Sequence, residues 1–129
     1  MENHDFSFEN LRVYKAARQL VKDVYVIVSK LPAIENFALS SQIRRAVVSV
    51  KANLAEGSGR SHAKDKAHFI DMAYGSLMEV YSEIETAADL SYITEEELKN
   101  IKLQIIDISK MLSGLRTSIL SHEPNNDNR

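Results

Sequence analysis

The chain has 129 residues and a mass of 14.6 kDa, enough for one domain. Its 44% hydrophobic and 26% charged residues are ordinary for a globular protein and too apolar for wholesale disorder. Four Gly and two Pro cannot punctuate the many turns of a β-sandwich or barrel, so long helices with few loops are expected. The absence of Cys excludes a disulfide framework, thiolate metal sites and cysteine nucleophiles, and agrees with a reducing, cytoplasmic compartment. No apolar run approaches the ~18–20 residues of a membrane span. The segment MENHDFSFEN lacks the basic and apolar regions of a signal peptide.

The net charge of −2 hides an internal division. Residues 1–41 balance five basic against five acidic side chains. Residues 42–66 carry Arg44, Arg45, Lys51, Arg60, Lys64 and Lys66 against Glu56 and Asp65, a local +4. Residues 67–129 carry five basic and eleven acidic side chains, a local −6. A pI near 6.1 argues against a protein that is basic everywhere and leaves room for a basic patch facing an anionic partner.

Four segments repeat apolar residues at steps of three and four, the pattern of amphipathic helices. The first, over about 8–31, places Tyr14, Ala17, Val21, Val24, Val28 and Leu31 on one stripe, with Ser7 as N-cap and Pro32 as its stop. The second, 39–56, has Leu39, Ile43, Val47, Val50 and Leu54 on one face, followed by Gly57 and Gly59 as helix end and flexible turn. The third, 62–91, carries Ile70, Ala73, Leu77, Val80, Ile84 and Ala87, with Phe69, Met72 and Tyr81 at the stripe's edges and Ser61 as cap. It would reach about 45 Å. The fourth, 95–120, opens on a capping box, Thr94-Glu95-Glu96-Glu97. Its Leu98, Ile101, Ile105, Ile108, Leu112, Leu115 and Ile119 suit nearly antiparallel helices meeting along a seam. The expected fold is therefore all-α, one antiparallel up-down-up-down four-helix bundle over residues 7–121. Residues 1–6 and 122–129 read as disordered tails. No strand-like alternation and no internal repeat of 20–50 residues is present.

Little here resembles a catalytic or metal site. His4, His62, His68 and His122 form neither the Glu-x-x-His pairs of a di-metal bundle nor HExxH, so no metal or cofactor is expected. Glu79 and Glu83, four apart, fit an acid/base pair, but also a solvated flank or counter-ions for arginines on a neighbouring helix. GSG at 57–59 lacks the spacing of a phosphate-cradling loop, and no GxSxG nucleophile elbow occurs.

The second helix has three further faces. With Ile43 at zero and about 100° per residue, Arg44 and Lys51 point to about 80–100°. Val48, Ala52 and Ala55 fall at about 120–180° and form a small apolar strip outside the core stripe, read as a self-association surface. Arg45, Ser49, Asn53 and Glu56 make a polar stripe at about 200–280°. Arg45 with Glu56, or with Glu79 and Glu83 across a helix interface, would form register-fixing ion pairs. Arg44, Lys51, Arg60, Lys64 and Lys66 have fewer acidic neighbours and could present a basic surface to phosphates.

The stretch LSSQIRRAVVSVKANLAEGSGR (39–60) resembles the signature of the four-helix bundle family named for open reading frames within 23S ribosomal RNA intervening sequences. The resemblance extends to FENLRVYKAARQLVKDVY (8–25), LPAIENFAL (31–39), AYGSLMEV (73–80) and the spacing of the last helix, and covers residues 8–120. Lys51 stands where the family pattern has Pro, and Ala38 where it has Gly; both changes favour regular helix. The resemblance implies a bundle assembling into a ring, a homopentamer around a central channel. The sequence is also similar to the accessory variability determinant proteins of diversity-generating retroelements, basic pentamers that bind nucleic acid and a reverse transcriptase. That role would rest here on Arg44, Arg45, Lys51, Arg60, Lys64 and Lys66. Three functions follow in order: a non-enzymatic homo-oligomer contacting RNA or DNA; a protein-docking scaffold using the acidic third and fourth helices; and an enzyme using Asn53, Glu56 and Glu79.

Overall fold

The structure, a computed structural model, describes residues 6–122. Four helices make up most of it: α1 (Arg12–Val28), α2 (Leu39–Ser58), α3 (Ala63–Asp89) and α4 (Glu95–Ser121). Among the described residues there is no strand. Each helix packs against its neighbours in sequence, and α1 closes on α4. The core lies between them, with Leu20, Ile43, Leu77, Ile84, Ile101, Ile108 and Leu112 fully buried. The stripes on α2 and α3 face inward as their spacing predicts, except that Leu39 is half-buried. On α1 the buried face is wider than predicted, taking in Val13, Leu20 and Ile27, whereas Val21 is half-buried. On α4, Leu98, Leu115 and Ile119 flank the core half-buried, and Met72 on α3 is exposed where an edge position was expected.

The boundaries depart from expectation for local reasons. Ser7 does not cap α1; it opens a 3-10 turn, Ser7–Asn10. There the Phe6 amide donates to Glu9 Oε1 at 2.7 Å, and Phe8 meets the Tyr14 ring edge-on at 4.9 Å. Extended Leu11 separates the turn from α1. At its other end α1 stops at Val28, and the next residues close tighter i→i+3 hydrogen bonds before Pro32. The N-cap of α3 is His62 rather than Ser61. In α4 the capping box forms as predicted: the Glu97 amide donates to Thr94 Oγ1 at 3.0 Å, and the Thr94 amide to Glu97 Oε1 at 2.9 Å. His122, expected in a tail, is the C-cap of α4, its Nδ1 lying 2.7 Å from the Ser118 carbonyl oxygen. Of the two expected tails, 1–5 and 123–129 lie outside the described residues.

Two positions decide the turns around α3. Gly57 is not a helix stop: it lies buried within α2, and a Cβ there would sit 2.8 Å from Phe69 Cβ. Gly59 is the C-cap, with an ordinary φ of −84°. After α3, Ser91 adopts φ 64°, while Ser91 and Tyr92 donate to the carbonyls of Ala88 and Ala87, both at 2.9 Å. This is a Schellman end with Ser where Gly is favoured. Gly57→Ala gains about 1 kcal/mol of helix propensity but overpacks by about 1–3 kcal/mol, so a net loss near 1 kcal/mol is expected in urea unfolding. Ser91→Gly relieves about 1–2 kcal/mol of left-handed strain against about 0.5–1 kcal/mol of added chain entropy, so a net gain is expected. Midpoints moving in the opposite directions would refute both assignments.

Candidate functional site

Helix α2 aims its charged residues apart, because successive residues diverge by about 100°. Arg44, half-buried, donates through Nη2 to the Asn36 carbonyl oxygen at 3.2 Å. Lys51, on the same side, holds its ammonium 5.7 Å from the Tyr14 ring centroid. Arg45 points the other way, into the groove between α2 and α3. Arg60 is drawn back onto its own helix end: Nη2 donates to Glu56 Oε2 at 2.8 Å, and its guanidinium lies 4.6 Å from the Phe69 ring centroid. Lys64 is exposed and Lys66 half-buried, both in the first turns of α3. The six cations therefore form no single patch. They divide between the two flanks of α2 and the α2–α3 connection, which lies about 20 Å along the helix from Arg44 and Arg45 and about 10 Å from Lys51.

The polar stripe of α2 meets α3. Ser49 Oγ and the buried Ser76 Oγ lie 2.9 Å apart, and Asn53 Nδ2 donates to the Ser49 carbonyl at 2.9 Å and to its hydroxyl at 3.0 Å. Beside them a groove of about 420 Å³ gathers Gln42, Arg45, Ser49, Ser76, Glu79 and Glu83. Among the described residues Arg45 forms no ion pair, although Glu79 and Glu83 share its groove, and Glu56 is taken by Arg60. The register-fixing pairs expected for Arg45 are thus replaced by the hydroxyl and amide contacts of Ser49, Asn53 and Ser76. The trio considered for catalysis is not assembled: Glu79 lines this groove, Asn53 is bonded within α2, and Glu56 is ion-paired. Among the described residues no cluster of three His, Asp or Glu could hold a metal. His4 lies outside them.

The apolar strip is placed as its angles predict for two of three residues. Val48 is 38% exposed and Ala52 is exposed, while Ala55 is half-buried against the core. Ser49 lies opposite Ser76 and Gly57 opposite Phe69, so Met72 falls between these pairs, level with Asn53. It is 43% exposed. Periodicity does not reveal two further features. Ile34 and Phe37 stand exposed between α1 and α2, and an apolar pocket of about 220 Å³ opens beside Gly57. The signal available was the apolar pair in LPAIENFA, outside any helical period.

With this geometry in hand, the profile of the 23S rRNA-intervening sequence protein family matches residues 9–114. The chain belongs to that family. A solved structure from Bacteroides thetaiotaomicron, a protein of unknown function from the S23 ribosomal protein family, matches with a TM-score of 0.71 at 21% identity. The match covers 81% of this chain and 97% of that one, and at this identity it carries the fold alone. No curated protein matches the chain. Among the described residues no helix is long and apolar enough to cross a membrane.

The groove supplies a titration test. Burial first, and the nearby Glu79 second, push the Glu83 carboxyl above its ordinary 4.5, and its Oε1 is buried without a hydrogen-bond partner. A raised carboxyl binds its proton more tightly folded than unfolded, so folding is favoured at low pH and loses stability as pH rises through and above 4.5. Glu83→Gln should therefore raise the melting temperature at neutral pH, by an increment that shrinks towards about pH 4. A pH-independent gain, or a loss, would overturn this account.

Proposed function

We propose that this protein is a non-enzymatic, self-assembling helical bundle in the cytoplasm, with its helices in up-down-up-down order. Copies join in a closed ring, for which the resemblance suggests five. The observation that carries the reading is the exposed apolar pair Val48 and Ala52 on α2, with Met72 exposed at the same level of α3, all three outside the core. Exposed apolar side chains grouped on one face of a helix suit a protein partner better than water. Val48→Arg with Ala52→Glu should convert the wild-type assembly to monomer in sedimentation velocity, while changing unfolding stability by less than about 0.5 kcal/mol. A wild type that is monomeric at all concentrations would sink the proposal.

A second reading, contact with RNA or DNA, is favoured by one observation. Arg44, Arg45, Lys51, Lys64 and Lys66 form no ion pair with a carboxylate among the described residues, although Arg44 bonds the Asn36 carbonyl and Lys51 leans on Tyr14 of α1. A ring would repeat those cations and sum their fields, which a single chain of net charge −2 cannot do. Filter binding of a short duplex should weaken as salt rises, and Lys64→Ala/Lys66→Ala should reduce the log–log slope by about two. A flat salt response, or retention of a partner protein after nuclease treatment in place of duplex, would favour the scaffold role through the acidic α3 and α4.

A further inference from the structure

One end of the molecule carries a protruding apolar group. In the 31–38 connection Ile34 is 83% and Phe37 99% exposed, and Leu90, at the neighbouring α3–α4 connection, is also exposed. The two connections are tied together: the Tyr92 hydroxyl donates to Glu35 Oε2 at 2.9 Å, and Lys30 pairs with Glu97. The connection is thus braced, and the Phe37 ring is held out on it. The helix ends joined by these tied connections also carry Asp89, Glu95 and Glu96, besides the paired Glu35 and Glu97.

The other end of α2 carries the complementary shape. The pocket of about 220 Å³ is walled by Leu11, Leu54, Ile70, Leu115 and Ile119, and Lys66 shares its lining. A cavity of about 150 Å³ lined by aliphatic and aromatic groups accommodates benzene, so a phenyl ring fits this one. Phe37 cannot fill its own pocket. From Leu39 to Gly57, α2 alone rises about 27 Å.

We infer that Phe37 of one copy seats in the Leu54–Ile70–Ile119 pocket of the next copy, head to tail. Size, apolarity and charge agree, the carboxylates at the Phe37 end of the molecule facing Lys66 in the pocket's lining. The inference rests on the self-assembly proposed above and names a contact that assembly would use. Because donor and acceptor surfaces differ, the contact is heterologous, and its repetition gives a closed ring or, if the rotation does not close, a filament. A single aromatic anchor holds two chains weakly; repetition around a ring supplies the rest.

The chain's lack of cysteine makes the test direct. Phe37→Asp should weaken association at least about tenfold in sedimentation velocity with an unchanged melting temperature, because the ring is free of the fold. Phe37→Cys/Ile119→Cys should oxidise to a ladder of disulfide-linked multimers, whereas Phe37→Cys alone should give dimers at most. An assembled wild type with a fully assembled Phe37→Asp variant would overturn this contact and leave self-assembly standing. Dissociation by Phe37→Asp without a ladder would overturn the pocket as its seat. A monomeric wild type would overturn the self-assembly reading and this contact together.

Discussion

The approach of α2 to α3 is the constraint from which the surfaces follow. At one point it depends on a missing atom: without a Cβ on Gly57, Phe69 can lie against the α2 backbone. Two turns back along α2 it depends on a short polar ladder, Ser49 to Ser76 with Asn53 bonded into it. Hydroxyls and an amide that satisfy one another in a half-dry interface fix register, because a slip of one residue would leave them buried and unpaired. Once register is fixed, so is the outward face. Arg45 enters a groove with Glu79 and Glu83, while Val48, Ala52 and Met72 meet solvent.

The same constraint disperses the charge. Arg44 and Arg45 are adjacent in sequence, yet a helix turns them about 100° apart, so one reaches the Asn36 carbonyl of the α1–α2 connection and the other the groove with α3. Arg60 is further neutralised by Glu56 one turn away and lies over Phe69. A segment that sums to +4 on paper becomes several weak cationic spots in space. Any field strong enough to hold a polyanion would have to come from repetition around an assembly rather than from one chain.

Much of this fold was legible because it rests on period and capping. The α2 and α3 stripes and the Thr94–Glu97 box depend on neighbours three or four residues away, and they appear where the spacing put them. What was not legible depends on groups distant in sequence. Gly57 reads as a terminator until Phe69 is placed against it. Ser7 reads as a cap until Phe8 is drawn onto Tyr14 and the turn tightens. Arg45 reads as the partner of Glu79 or Glu83, because spacing brings them near without saying whether hydroxyls will hold the interface first. Phe37 was passed over because an apolar residue outside a helical period carries no pattern, and its exposure belongs to the assembled fold.

A physical account of the segment from Ala52 to Arg60 follows from the same contacts. In ANLAEGSGR, Asn53 bonds Ser49, Glu56 pairs with Arg60, Gly57 admits Phe69, and Arg60 covers the Phe69 ring. These residues are engaged within α2 or against α3, so the segment specifies how that corner folds. Its presence is therefore evidence of architecture and carries little information about a ligand. Side chains with no internal partner lie elsewhere: on the strip beside that corner, at the tip holding Ile34 and Phe37, and among the lysines at the start of α3. Two related chains could share that segment and the bundle while differing at those three places, and it is there that their partners would be chosen.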